Sequence, residues 1–270
     1  MSTNTIRISS AGLATAAAIL LTALPAAALS LGVSASASAS SSGVAVNASA
    51  SAKLSAVITK ADSDISARIT ALNDMNSRVQ NLKNVSATEK SSIATDVQTN
   101  SSGLTTLQGK IDADTGLATA RTDAQSIFGT FRIYALVIPQ GDILVSADRV
   151  VTITGLMSTL GANIQTRIAA DQAAGKDVSA LTAAYLDMTA KIADANTQSA
   201  SAQTSVSALV PDQGNATVAA SNHTALLAAR ADIKTATSDL QAARKDITTL
   251  LQGLKSLGGS ASASSSVSTH

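Results

Sequence analysis

No cysteine occurs anywhere in the 270 residues, which excludes a disulfide framework and every metal site built on thiolates. Tryptophan is absent too, and the aromatics number only four: Phe128, Phe131, Tyr134 and Tyr185. A chain this poor in rings has little to stack on bases. Its 19 basic and 18 acidic residues form no basic cluster, so nucleic acid is not an expected partner. Charge of either sign is scarce, at 14% of residues against about 25% in an ordinary soluble protein. Serine, threonine, asparagine and glutamine must therefore solvate the exterior. The acids are lopsided, because Glu89 is the one glutamate and all the others are aspartate. Glutamate is the better helix former, so helix propensity does not explain that choice.

Catalytic and metal-binding patterns are missing as well. His223 and His270 have no second histidine or cysteine near them in sequence, and no serine can be assigned a histidine base by spacing. Asp62 and Asp64, like Asp112 and Asp114, are two residues apart, which on a helix turns them to different faces. Residues 112–116 (DADTG) echo a calcium loop but lack its third oxygen ligand and the glycine at the sixth place. The expectation is a non-enzymatic protein with no cofactor, no metal and no catalytic residue.

What the chain does have is periodicity. From Leu226 the apolar positions are Leu226, Ala229, Ile233, Ala236, Leu240, Ala243, Ile247, Leu250, Leu254 and Leu257, at alternating spacings of three and four. A second run is Val178, Leu181, Tyr185, Met188, Ile192, Ala195, Ser199, Ala202, Val206 and Leu209. Such repeats put one stripe of side chains along an α-helix and demand partner helices to cover it. Residues 53–257 are accordingly read as all-α, an elongated antiparallel bundle of about five long helices with coiled-coil-like heptad packing.

The first expected helix covers residues 53–84, with Leu54, Ile58, Ala61, Ile65, Ile69, Leu72, Val79 and Leu82 facing inward. Its spacing slips between Ile65 and Ile69, which predicts a local unwinding of any supercoil. The second starts at a capping box, Ser86 to Glu89, and carries Ile93, Val97, Asn100, Leu104, Leu107, Ile111, Asp114 and Ala118. The third runs from Pro139 or Asp142 to near Ala174, where Gly175 ends it. Asp177 caps the fourth, residues 211–214 turn the chain, and the fifth ends at Gly258 and Gly259.

Residues 119–139 break the pattern and read as a hydrophobic crossover. Three of the four rings lie within seven residues here, and an apolar run continues to Pro139. Phe128, Phe131, Tyr134, Leu136 and Ile138 are the candidate interaction or membrane segment. Two readings are open: a crossover that caps the bundle core, and a tongue that inserts residues 128–145 into lipid. The run is too short to span a bilayer as a helix.

Residues 1–35 read as an export signal. Arg7 is the only charge before Lys53, residues 11–33 are uncharged and apolar, and small residues at 26–28 and 33–35 suit a signal peptidase. An uncleaved membrane anchor is the alternative, since 23 uncharged residues can span a bilayer. Pro25 and the single flanking arginine favour cleavage. Ser/Ala-rich tracts at 36–52 and 258–270 lack apolar periodicity and read as a flexible linker and a flexible tail. The expected location is extracellular or at the cell surface. The expected partner is an unidentified protein or cell-envelope component, with possible membrane contact through the N-terminal helix.

The segment FGTFRIYALVIPQ, together with the later AAGKDVSALTAAY, resembles a set of uncharacterised secreted helical proteins of candidate-phyla bacteria. The resemblance extends in layout over most of the chain beyond residue 35. It implies export and an all-helical fold, and it assigns no site.

Overall fold

The structure is a computed structural model that describes residues 43–212 and 215–265. These residues form six helices: α1 (Gly43–Gln80), α2 (Ala87–Asp112), α3 (Leu117–Gly129), α4 (Val137–Ala173), α5 (Ser179–Ser207) and α6 (Ala216–Ser265). No strand occurs among the described residues. The expected export signal or anchor at residues 1–35 lies outside them.

Six helices replace the expected five because the crossover is itself partly helical. Residues 113–116 turn the chain after Asp112, and Gly116 caps α3, which covers residues 117–129. The stripe assigned to the second helix therefore ends at Ile111. Asp114 sits in the turn, and Ala118 is exposed on α3. The short α3 buries Ala120, Asp123 and Ile127, and a buried aspartate within so brief a stripe conceals it from an apolar count. The two Ser/Ala tracts also depart from expectation. Helix α1 begins at Gly43, inside the anticipated linker, and α6 continues through Gly258 and Gly259 to Ser265. Alanine has the highest helix propensity, so a helix entering such a tract has reason to continue.

No spacing slip interrupts α1. Its buried positions from Ala61 onward are Ala61, Ile65, Arg68, Leu72, Met75 and Val79, at strictly alternating spacings of four and three. The apparent slip arises from passing over Arg68 in favour of Ile69, which is only half-buried. An arginine thus occupies a core-facing position.

The capping box forms as expected. The Ser86 hydroxyl accepts from the Glu89 amide and the Glu89 carboxylate accepts from the Ser86 amide, each at 3.1 Å. Helix α4 ends where Gly175 adopts φ 77°, a left-handed conformation that a side chain would strain. Pro139 lies in the first turn of α4, where a missing N–H leaves no intrahelical bond unmade.

Pairings fix the relative directions of the helices. Along α4 the residues Ala147, Thr154 and Gln165 bond Ser199, Asn196 and Tyr185 of α5, so the two helices run oppositely. In the same way Leu181 of α5 lies against Gly253 of α6, and Lys191 pairs with Asp239. Helices α1 and α2 are opposed, with Asp62 meeting Gln108 and Gln80 meeting Lys90. Helix α1 instead runs alongside the start of α4, where Arg78 pairs with Asp142 and the amides of Lys83 and Asn84 bond Asp148. Helix α4 therefore serves both halves of the fold. It packs with α1 and α2 on one side of the fold and with α5 and α6 on the other.

Every apolar seam position read in α6 from Leu226 to Leu254 is buried, and Leu257 is half-buried. In α5 the buried set is Leu181, Met188, Ile192, Ala195, Ser199, Ala202 and Val206. Each large aliphatic side chain buried in this way contributes about 1.5–3 kcal/mol relative to exposure.

Leu240, at the middle of α6, is 7% exposed, whereas its neighbour Asp239 makes only a loose 3.9 Å pair with Lys191. Leu240→Asp is expected to destabilise the fold severely, because it introduces an unpaired charge that must be desolvated. Asp239→Ala should change stability by no more than about 0.5 kcal/mol. Denaturant melts of the two variants check this, and closely matched midpoints would contradict the assigned face of α6.

Candidate functional site

The five candidate residues of the crossover do not share one surface. Leu136 is buried, Ile138 and Phe131 are half-buried against the core, and Phe128 and Tyr134 are exposed. Buried Ile133 and Val137 alternate with them, so the segment packs inward while presenting two rings outward. Phe131 lies over Gly103 of α2, where a methyl group would run into its ring. The glycine is the surface on which this ring rests.

The two outward rings meet at a residue that an apolar count passes over. The Arg68 guanidinium carbon lies 4.5 Å from the centroid of the Phe128 ring and 5.4 Å from that of Tyr134. Arg68 is only 8% exposed. One of its terminal nitrogens donates to the Asp64 carbonyl at 3.0 Å, while its Nε is inaccessible and has no partner. The Asp64 carboxylate pairs with Lys60 instead. Cation–π contacts of this kind are worth about 2 kcal/mol when water is excluded, so the two rings together compensate part of the charge. The sequence signal for Arg68 was its place in the four-three spacing between Ile65 and Leu72.

Other polar groups are structural in their geometry. Arg132 pairs with Asp212 at 3.1 Å and ties the α3–α4 connection to the segment between α5 and α6. Asp123 accepts from Lys110 at 2.7 Å, and this partner raises the lysine's affinity for its proton. Of the faint calcium-loop echo, Asp112 ends α2 and residues 113–116 form the turn to α3. Among the described residues no three His, Cys, Asp or Glu side chains come together to hold a metal ion. His223 is exposed on α6. Two shallow depressions open to solvent lie among the described residues, one along Thr88, Ser91, Ser92, Thr95 and Asp96, the other around Lys176, Asp177 and Leu186.

Two groups on helix surfaces respond to protons in opposite senses. Burial pushes the Glu89 carboxyl up, but bonds from the Ser207 hydroxyl and from the Ser86 hydroxyl and amide outweigh it and leave it low. Asp246 of α6 is raised, first by burial and then by Asp187 facing it from α5, with Lys245 and Lys191 opposing. One of its oxygens is inaccessible and lacks a donor.

Phe131→Ala is expected to lower stability by about 2–3 kcal/mol, less than the roughly 3–5 kcal/mol for a fully buried phenylalanine because the ring is half-buried. Chemical denaturation measures it directly, and an unchanged midpoint would show that the ring carries no packing load. Asp246→Asn should raise stability at neutral pH. A carboxyl with a raised folded value disfavours folding while ionised, and stability is recovered as pH falls through that value. The variant's advantage in thermal melts should therefore fade toward acid, and an advantage that persists at low pH would contradict the assignment. No protein-family model, curated protein or solved structure matches this chain.

Proposed function

We propose that the protein is an exported, non-enzymatic helical bundle that acts as a structural, spacer or interaction module at the cell surface. The observation that supports this reading is the use of helix surface. Among the described residues, buried positions recur at spacings of three and four along α1, α5 and α6, and their side chains fill the interior. The finer architecture belongs to the same proposal: an elongated antiparallel bundle with coiled-coil-like heptad packing. Helix α6 has 50 residues, about 75 Å at 1.5 Å per residue, which suits a spacer. Export draws on residues 1–35, and the kinship with secreted helical proteins of candidate-phyla bacteria draws on the two quoted segments.

Membrane insertion of residues 128–145 is the second reading, and the exposure of Phe128 and Tyr134 favours it. Helix α4 also has the length and apolarity to cross a bilayer. Insertion would have to withdraw Ile133, Leu136, Val137, Ile143 and Leu144 from the core, all of which are buried. That loss of packing makes the module reading the stronger one.

Expression of the full chain in its own cells, followed by fractionation and by protease treatment of intact cells, tests the proposal. The protein should be recovered from the surface or the medium and be cleaved by external protease. Full protection inside the cell would overturn export. Dye leakage from liposomes, if produced by the intact chain and lost with Phe131→Ala, would favour insertion.

A further inference from the structure

We propose that Arg68, flanked by Phe128 and Tyr134, is a docking point for the phosphate of a lipid headgroup, read by the folded protein without insertion of the crossover. The argument starts from an anomaly in packing. Arg68 occupies a core-facing position of α1 between Ile65 and Leu72, where an apolar side chain would satisfy the seam. It is nine-tenths buried, forms no ion pair among the described residues, and bonds one backbone carbonyl, with Nε left without a partner. A buried cation lacking an acid is destabilising, and replacing such a group by an apolar residue of like shape is often neutral or stabilising. Packing therefore does not explain its presence, whereas an arriving anion would.

The surroundings select the kind of anion. From Ala124 to Gly141 the chain carries a single charge, Arg132, and no acidic residue. Phe128 and Tyr134 flank the guanidinium while leaving 55% and 47% of their surface to solvent. A free phosphate ion would lose hydration for the guanidinium alone and leave the ring surfaces unused. A phosphate attached to glycerol and acyl chains would pair with the terminal guanidinium nitrogen that Asp64 leaves unbonded and also cover the rings, as aromatic residues do at membrane interfaces. The site lies on the assembled bundle, so Ile133, Leu136 and Val137 stay in the core. This inference supplies a partner for the module reading but does not depend on export. A chain retained in the cell would still carry the site, and loss of lipid recognition would leave the surface module standing.

The test uses the full chain bearing Tyr185→Phe, so that Tyr134 is the sole emitter in a protein without tryptophan. Vesicles with brominated acyl chains are titrated in, either phosphatidylcholine alone or an equal mixture with phosphatidylglycerol. Because residues 11–33 are themselves apolar, the readout is the ratio of lipid concentrations needed for half quenching, not binding as such. The anionic mixture should quench Tyr134 at about fivefold lower lipid, the preference that one cation near a charged surface provides. Arg68→Met, which suits the seam and should melt no lower than the parent, is expected to bring the ratio to one. Arg68→Lys should retain part of the preference as a point charge. Inorganic phosphate alone should leave Tyr134 emission unchanged. A full preference in Arg68→Met, equal quenching by both lipids with Arg68 intact, or an emission change with inorganic phosphate alone would each overturn the proposal.

Discussion

Each long helix of this protein carries one stripe that water must not reach, and the fold follows from covering those stripes. With no cysteine available, nothing covalent holds the helices in place. Four aromatic residues supply little of the core, so aliphatic side chains and alanine do the packing. Alternation of Leu226, Ile233, Leu240 and Ile247 with Ala229, Ala236 and Ala243 along α6 sacrifices buried area but permits close approach of neighbouring backbones. Alanine's helix propensity returns part of that loss.

Helix α4 is where the two halves of the fold are joined, and polar side chains set its alignment. Gln140 donates to the Val206 carbonyl at 2.9 Å, Ser199 to the Ala147 carbonyl at 3.0 Å, and Thr154 to Asn196 at 2.6 Å. Greasy stripes alone tolerate sliding by a heptad. A buried hydroxyl or amide tolerates none, because a shifted register would leave it without a partner. The same logic accounts for Glu89. As the N3 residue of the capping box it accepts from Ser86, and its other oxygen accepts from Ser207 at the end of α5. The one glutamate of the chain thus ties the start of α2 to the end of α5, while the reason for aspartate elsewhere has no account in the structure.

The crossover shows how one short segment can serve two roles. Ile133, Leu136 and Val137 close the core beneath it, and Phe131 rests on Gly103. Phe128 and Tyr134 face outward around Arg68, so the rings are divided between packing and surface. A seam built only for stability would place an aliphatic residue at position 68. The arginine there is the clearest local conflict between packing and composition in the described residues.

Helix identity was legible in the chain wherever apolar residues dominated the seam. In α5 and α6 the stripe from Val178 to Val206 and from Leu226 to Leu254 is the buried stripe, because a four-three repeat has only one face on which to gather. Ser199 was read correctly within the α5 stripe, but where charged residues entered a seam, sequence reasoning went astray. Arg68 was passed over for Ile69, and α3 was hidden by Asp123 and by its brevity. Gln140, Thr154, Gly161 and Asp171 likewise lie buried along α4 at positions that no hydrophobic count would choose. The chain by itself determined that these segments are helices and, for most, which side is buried, since both follow from local spacing. Which helix lies against which, how α4 is shared, and that Arg68 stands between Phe128 and Tyr134 were decided only in the tertiary structure. Those arrangements depend on residues between 20 and 118 apart in the chain meeting in space, and spacing within a helix carries no information about its partner.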